Sequence, residues 1–314
     1  MKFLVAPNPY KGTLSSLEAA RAIARGLRLA MPGARCELMP LADGGPGTLD
    51  ALRASLGGRV MRSRVRGPLG APLTARWLRV SRRLGVIESA EAIGIERVRG
   101  RNDALKASSF GLGQLMLAAK AAGCREIWIG LGGSATTDAG VGMALALGGL
   151  GAMKGVRVKV LCDVDNPMHG PRGAAHVFGP QKGATPDQVR AMDRRLRAAA
   201  GLMRPGLASK PGAGAAGGLG AGLMAFAGAS LVPGAATLLS LCGFHQKLRA
   251  ADWVVSGEGN FDRQSLRGKL PVVVAREALK AGKPCLLVCG KIKENFKLRG
   301  VKWVELKKLP GLKL

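Results

Sequence analysis

Tyrosine occurs once in this 314-residue chain, aromatic residues make up 4 % of it, and histidine occurs three times. The six cysteines, Cys36, Cys124, Cys162, Cys242, Cys285 and Cys289, contain no Cys-x-x-Cys pair, so a disulfide framework and a zinc module are both poor readings. Glycine follows no three-residue period, which excludes collagen. The short apolar run at the start is followed by Asn8, Pro9, Tyr10 and Lys11, which suits a first strand better than a signal peptide. With no targeting segment evident, a cytoplasmic protein without a membrane partner is expected. Residues 211–244 carry no charge and are long enough to raise a membrane span. Repeated glycines and Pro233 interrupt them, and their middle is Ala/Gly rather than Leu/Ile/Phe, so a buried Gly-rich loop leading into core helices is expected.

Acidic residues are also short: 20 against 48 basic, a formal net charge of +28. Such a charge attracts anions in general, from nucleic acid to phosphorylated or carboxylated metabolites. The basic residues are scattered through helix-like segments such as 190–204 without interleaved aromatics, and no helix-turn-helix, RNA-recognition or zinc-finger pattern is present. Nucleic acid is therefore not the expected partner.

What the chain has is apolar material, 47 % hydrophobic residues, and an excess of glycine, 47 in all. Residues 2–6 read as a strand, 17–29 as an amphipathic helix capped at Ser15 or Ser16, and 35–41 as a second strand before a helix beginning near Thr48. That order predicts a parallel, Rossmann-like sheet. Residues 60–65, 73–80 and 85–88 are short β-branched runs between Gly-Pro and Gly-Ala turns, predicted antiparallel. Helices over 108–122 and 139–147 then alternate with strands over 126–131 and 156–162, and strands over 253–256 and 285–289 flank a helix over 271–281. The fold class expected is α/β with two domains: a discontinuous Rossmann-like parallel-sheet domain from residues 1–56 and 246–314, and an inserted α/β domain over 57–245.

In open α/β sheets ligands gather at the carboxyl ends of strands. Four predicted strand ends here carry glycine, acid or hydroxyl residues. They are Asp43, Gly44 and Gly45; residues 130–138 with Gly132, Gly133, Ser134, Ala135 and Thr136; Asp163, Asp165 and Asn166; and residues 256–262 with Glu258 and Asp262. The second follows a strand and opens a helix, the setting in which backbone N–H groups bind phosphate. It also fits G-x-G-x-x-A, but the acid expected some twenty residues on is replaced by Lys154 and Gly155, which argues against a dinucleotide site. Residues 212–217 match G-x-G-x-x-G without a preceding strand, and no Walker-type phosphate loop or G-x-S-x-G elbow occurs. Phosphoryl transfer still needs backbone donors, carboxylates for Mg²⁺ and a cation. Lys11, Lys182 and Lys269 stand beside Gly or Pro turns and could supply the cation. Asp163 and Asp165, two apart at a strand end, suit metal binding or one ligand and one base. His169 and His176 lack an acid at ligand spacing and read as structural.

Taken together these loops resemble the type I glycerate kinase family. The matching segments are residues 6–11 with Leu14 and Ser15, 41–48, 109–115, 130–142, 162–167, 178–185, 212–220 and 256–264 with Gly268 and Lys269. The resemblance implies ATP-dependent phosphorylation of D-glycerate, with 2-phosphoglycerate as the expected product, using Mg²⁺ in an interdomain cleft. Within that cleft, Gly132, Gly133, Ser134, Ala135 and Thr136 with Gly214, Gly217 and Gly218 are expected to cradle phosphates, and Asp163 and Asp165 to do metal or base work. Lys11 and Lys182, beside Gln181, would meet glycerate or phosphate oxygens; Asp43, Gly44, Gly45, Asn166, Glu258, Asp262 and Lys269 would complete the lining. The chain departs from the family pattern where Asn8, Pro46 and Gln114 stand in place of acids, in a shorter connection over 147–156, and in a shorter, basic tail after Gly290. A homodimer is an open expectation. Two alternatives stand beside the kinase: a degenerate kinase fold binding nucleic acid or acidic surfaces, and an NAD(P)-dependent hydroxy-acid dehydrogenase.

Overall fold

The computed structural model describes residues 1–98, 100, 102–261, 265, 268–292 and 300–305. By contact the chain divides into two compact units, Met1–Asp43 with Asp50–Gly57 and Ala235–Leu314, and Gly44–Leu49 with Gly58–Gly234. The fold is mixed α/β with two parallel-rich sheets, as expected from the alternation of strands and helices.

The first unit starts with strand β1 (Lys2–Val5), helix α1 (Ser16–Ala30) and strand β2 (Arg35–Leu38). Ser15 caps α1 with a reciprocal box: its hydroxyl accepts from the Glu18 N–H at 3.2 Å, and Glu18 accepts from the Ser15 N–H at 2.8 Å. The helix buries Ala19, Ala20, Ile23 and Ala24 at helical spacing. Helix α2 (Thr48–Leu56) follows; the rest of the unit comes from the later chain. The five-stranded sheet there is parallel throughout, and its two outer strands are β2 and, at the other edge, residues Val301–Glu305. Phe3, Val5, Val255 and Val288 pack from this sheet against α1.

The second unit opens with strands β3 (Arg59–Arg66), β4 (Pro72–Arg79) and β5 (Leu84–Glu88), then helices α3 (Ser89–Ile93) and α4 (Phe110–Ala121). Strand β6 (Glu126–Gly130), helix α5 (Val141–Leu147) and strand β7 (Arg157–Leu161) continue it. Helices α6 (Ala174–Phe178), α7 (Pro186–Ala200) and α8 (Ala215–Ala227) lead to strand β8 (Ser230–Val232). The first three strands pair antiparallel, as predicted. β5 also pairs with β6, in parallel, because the helices between them return the chain to the starting end of the sheet. Trp77, Ile87, Leu112, Leu115, Ile127, Ile129 and Val160 fill the core between sheet and helices.

The uncharged stretch is buried α8 followed by β8, a strand the sequence reading did not anticipate. No helix among the described residues is long and apolar enough to cross a membrane. Helix α9 (Gly234–Leu241), helix α10 (Phe244–Ala250), strand β9 (Trp253–Phe261), helix α11 (Leu270–Lys280) and strands β10 (Cys285–Ile292) and β11 (Val301–Glu305) complete the chain. β9 and β10 each run beyond the predicted limits, so Glu258 lies within a strand rather than after it.

Ile23 is fully buried between α1 and the sheet. Ile23→Ala is expected to lower unfolding free energy by roughly 2–5 kcal/mol, through lost burial and a residual cavity, measured by urea denaturation.

Candidate functional site

In the second unit the parallel strands β5, β6 and β7 end in register at Glu88, Gly130 and Leu161. The loop leaving β6 lies directly on residues 44–47. A Cβ on Gly130 would stand 2.2 Å from the Gly44 carbonyl oxygen, and one on Gly132 would stand 2.5 Å from the Gly45 Cα. The Gly132 N–H donates to the Gly44 carbonyl at 3.3 Å, and the ring of Pro46 covers Gly133. Gly44, Gly45, Gly132 and Gly133, separate in sequence, are thus one backbone-to-backbone contact.

Glu88 at the end of β5 accepts from the Leu49 N–H at 2.6 Å, placing a buried carboxylate at the first turn of α2, where the helix dipole favours it. Sequence reading did not single out Glu88. Its signal was an acid closing the apolar run 85–88.

Lys182 is 3 % exposed. Its ammonium donates to the Thr136 carbonyl at 2.5 Å and reaches the Ser134 hydroxyl at 3.5 Å. The Lys182 N–H bonds the Gly179 carbonyl at 2.9 Å, and the Asn102 side-chain amide donates to the Lys182 carbonyl, fixing the residue from both sides. Burial pulls its pKa down from 10.5 to about 8, with the field of Asp138 opposing the shift. Asp138 is itself held from two sides: it accepts from the Ser109 N–H and hydroxyl, just before α4, at 2.7 and 2.8 Å, and from the Gly140 and Gly142 N–H groups at 3.2 Å each. On the residues of these loops, the buried hydroxyls of Thr136 and Thr137 and the amide oxygen of Asn102 have no hydrogen-bond partner among the described residues.

Gly214, Gly217 and Gly218 bring the start of α8 onto the same loops. A Cβ on Gly214 would meet the Pro167 carbonyl at 2.1 Å, and one on Gly217 would meet the Thr136 carbonyl at 2.0 Å. Ala139 and Ala216 both hold left-handed φ, 54° and 53°, a strained state for a residue with a Cβ. Asp163 accepts from the Gly234 N–H at 2.8 Å, at the start of α9. Asp165 is 68 % exposed and pairs with Arg172 at 3.4 Å. Asn166 donates to the Arg172 carbonyl and accepts from the Gly214 N–H, tying that turn to α8. Gln181 is exposed, and Ala135 is buried.

The remaining residues lie in the first unit. Asn8 is 2 % exposed at the carboxyl end of β1 and donates its amide to Asp43 at 3.3 Å. Glu258 is buried, with the Lys269 ammonium 3.6 Å from its carboxylate. Tyr10, which the sequence offered only as part of a motif, donates to the Val288 carbonyl at 2.6 Å and packs against Gly257. Burial, with Cys289 and Glu258 nearby, pushes its phenol up. Lys11 is exposed, and Asp262 lies outside the described residues. No group of three or more histidine, cysteine or acidic side chains that could cage a metal occurs among the described residues.

Parallel strand ends faced with glycine, with a buried amine on a neighbouring loop, are the features of this α/β unit, and strand ends of that kind are where α/β proteins generally bind ligands. The Glycerate kinase family model matches residues 3–151 and 150–304, and by that measure the chain belongs to the glycerate kinase family. It is 39 % identical to the glycerate kinase of Halalkalibacterium halodurans, covering 93 % of this chain and 86 % of that one. It is 37 % identical to the glycerate 2-kinase of Escherichia coli strain K12, covering 94 % and 86 %. A crystal structure from Salmonella typhimurium LT2, assigned as glycerate kinase 2, superposes with a TM-score of 0.83 at 37 % identity over 97 % of this chain and 90 % of that one.

Two outcomes test this geometry. Gly130→Ala is expected to cost about 1–3 kcal/mol of stability, because the new Cβ drives two main chains apart; urea midpoints measure it. Below about pH 8 Lys182 is charged in both folded and unfolded chains; above it the folded chain has released a proton that the unfolded chain keeps up to its ordinary 10.5. Stability should therefore rise with pH across this window relative to Lys182→Met, read as the difference in unfolding free energy between about pH 7.5 and about pH 9.5.

Proposed function

We propose that this chain transfers the γ-phosphoryl group of ATP to D-glycerate and forms 2-phosphoglycerate. The observation that carries the reading is Lys182: a buried ammonium with no carboxylate within 4 Å among the described residues, beside unpartnered hydroxyls at the carboxyl end of a parallel sheet. A buried charge is costly without a counter-ion, so the missing partner is a substrate anion. Membership of the glycerate kinase family supports the choice of acid and reaction.

The residues present fit ATP with Mg²⁺. Mg²⁺ keeps most of its oxygens from water and phosphates and needs one or two carboxylates, so no protein cage is required. Asp163 and Asp165 would supply these oxygens, since the exposed Asp165–Arg172 pair costs little to open. Bound there, the ion would neutralise charge on the phosphate oxygens. The glycine-faced segments around Gly132, Gly133 and Gly214, Gly217 and Gly218 let a phosphate chain approach the backbone. An aspartate of the same turn would take the proton of the acceptor hydroxyl.

The test is coupled ATP-to-ADP turnover with D-glycerate, L-glycerate or no acceptor, with and without Mg²⁺, and ³¹P NMR of the product. D-glycerate-dependent ADP formation and a 2-phosphoglycerate resonance are expected, with Asp163→Asn lowering kcat by roughly 10²-fold. A folded sample that makes no ADP with D-glycerate would sink the reading.

A further inference from the structure

We propose that Lys182, with the hydroxyls of Ser134, Thr136 and Thr137, forms the subsite for the carboxylate of the acid acceptor, distinct from the surfaces that hold the nucleotide phosphates. The inference rests on the phosphoryl-transfer reading above and divides its anions between two places.

Two features separate this cluster of groups from a polyphosphate site. Its charge is single: the Lys182 ammonium spends its bonds on the Thr136 carbonyl and the Ser134 hydroxyl, and its third N–H has no acceptor among the described residues. Its other donors are neutral: the Thr136 and Thr137 hydroxyls are buried and unpartnered. One cation and two hydroxyls match a planar monoanion, whose two oxygens offer about four lone-pair sites. ATP carries several charges and calls for a metal and backbone donors.

These groups are also buried and held in place. Lys182 is held through both its backbone N–H and its carbonyl, and Thr136 is pinned by Gly217, where a Cβ would stand 2.0 Å from its carbonyl oxygen. Asp138 cannot swing across to neutralise the amine, because both its oxygens are already engaged. Groups held in place suit a part of the ligand that stays still during reaction. The phosphoryl group, by contrast, must be reached from both donor and acceptor. The Asn102 amide oxygen, on the residue that bonds the Lys182 backbone carbonyl, is an unpartnered acceptor that would suit a hydroxyl of the same ligand. The ligand class is thus a small hydroxy acid bound carboxylate-first.

The test compares D-glycerate with its uncharged amide as acceptor, at saturating ATP and Mg²⁺, in the full chain. The parent should favour the acid by about 10²-fold or more in kcat/KM, because the amide leaves a buried cation unpaired. In Lys182→Met that preference should collapse to within about threefold, with the KM for glycerate rising far more than the KM for ATP. Thr137→Val, which keeps volume and removes only the hydroxyl, should raise the KM for glycerate by about tenfold with kcat nearly unchanged.

Calorimetry of D-glycerate binding in two buffers at about pH 8 gives a readout that needs no turnover. The parent should take up a fraction of a proton as the anion re-protonates the amine, and Lys182→Met should take up none. A raised KM for ATP with the glycerate KM unchanged would overturn the assignment and give the cation to the nucleotide. Equal losses for acid and amide, or binding without proton uptake in the parent, would also overturn it. If no acceptor supports turnover, the kinase reading fails; proton-linked binding of the acid over its amide would still uphold the subsite.

Discussion

Main chains in the second unit approach each other more closely than any side chain permits, and the candidate site depends on that approach. Gly130 lies on the Gly44 carbonyl, Gly217 on the Thr136 carbonyl and Gly222 on the Ala139 carbonyl, each where a Cβ would stand 2.0–2.2 Å away. These contacts leave the loop over residues 130–140 no room to shift, so the Thr136 carbonyl reaches the Lys182 ammonium. The strain appears beside them, at Ala139 and Ala216, both left-handed. Strained backbone persists where surrounding packing over-determines it, and here that packing surrounds the loops proposed to hold substrate.

Buried charge is handled in contrasting ways within one unit. Glu91 is closed off by two guanidinium groups, Arg76 at 2.7 Å and Arg97 at 2.9 Å. Glu88 is satisfied by a helix N–H. Lys182 receives a carbonyl and a hydroxyl but no carboxylate among the described residues. Glu88 and Glu91 are partnered by the fold itself, and Lys182 is the residue proposed above to meet an anion from outside. The surplus of 48 basic over 20 acidic residues is a separate matter, spread mostly over exposed positions where solvent bears the charge.

Local pattern made several elements legible. The capped stripe of α1, the alternating strands of the first unit and the antiparallel run through β3, β4 and β5 follow from periodicity and turn residues. The short strands β8 and β11 were not legible, since three to five residues carry too little period to distinguish strand from loop. Glu88 escaped notice because an acid at the end of an apolar run looks the same whether it faces water or caps a distant helix. Lys182 was one basic residue among 48 until its burial separated it from the rest.

By itself the sequence determined the alternation of strands and helices, the glycine, acid and hydroxyl residues at the strand ends, and the motif order that resembles the glycerate kinase family. These are properties of neighbours along the chain, where hydrophobic period and turn chemistry act over a few residues. Only the tertiary structure decided which of those loops share a place: Gly44 with Gly130, Gly217 with Thr136, and Lys182 with Ser134 and Thr136. It also decided that Asp163 turns to the start of α9 while Asp165 stays in solvent. Solvation and close contact are set by residues tens to more than a hundred positions away, and no local pattern encodes whether an amine will be desolvated or an aspartate left in water.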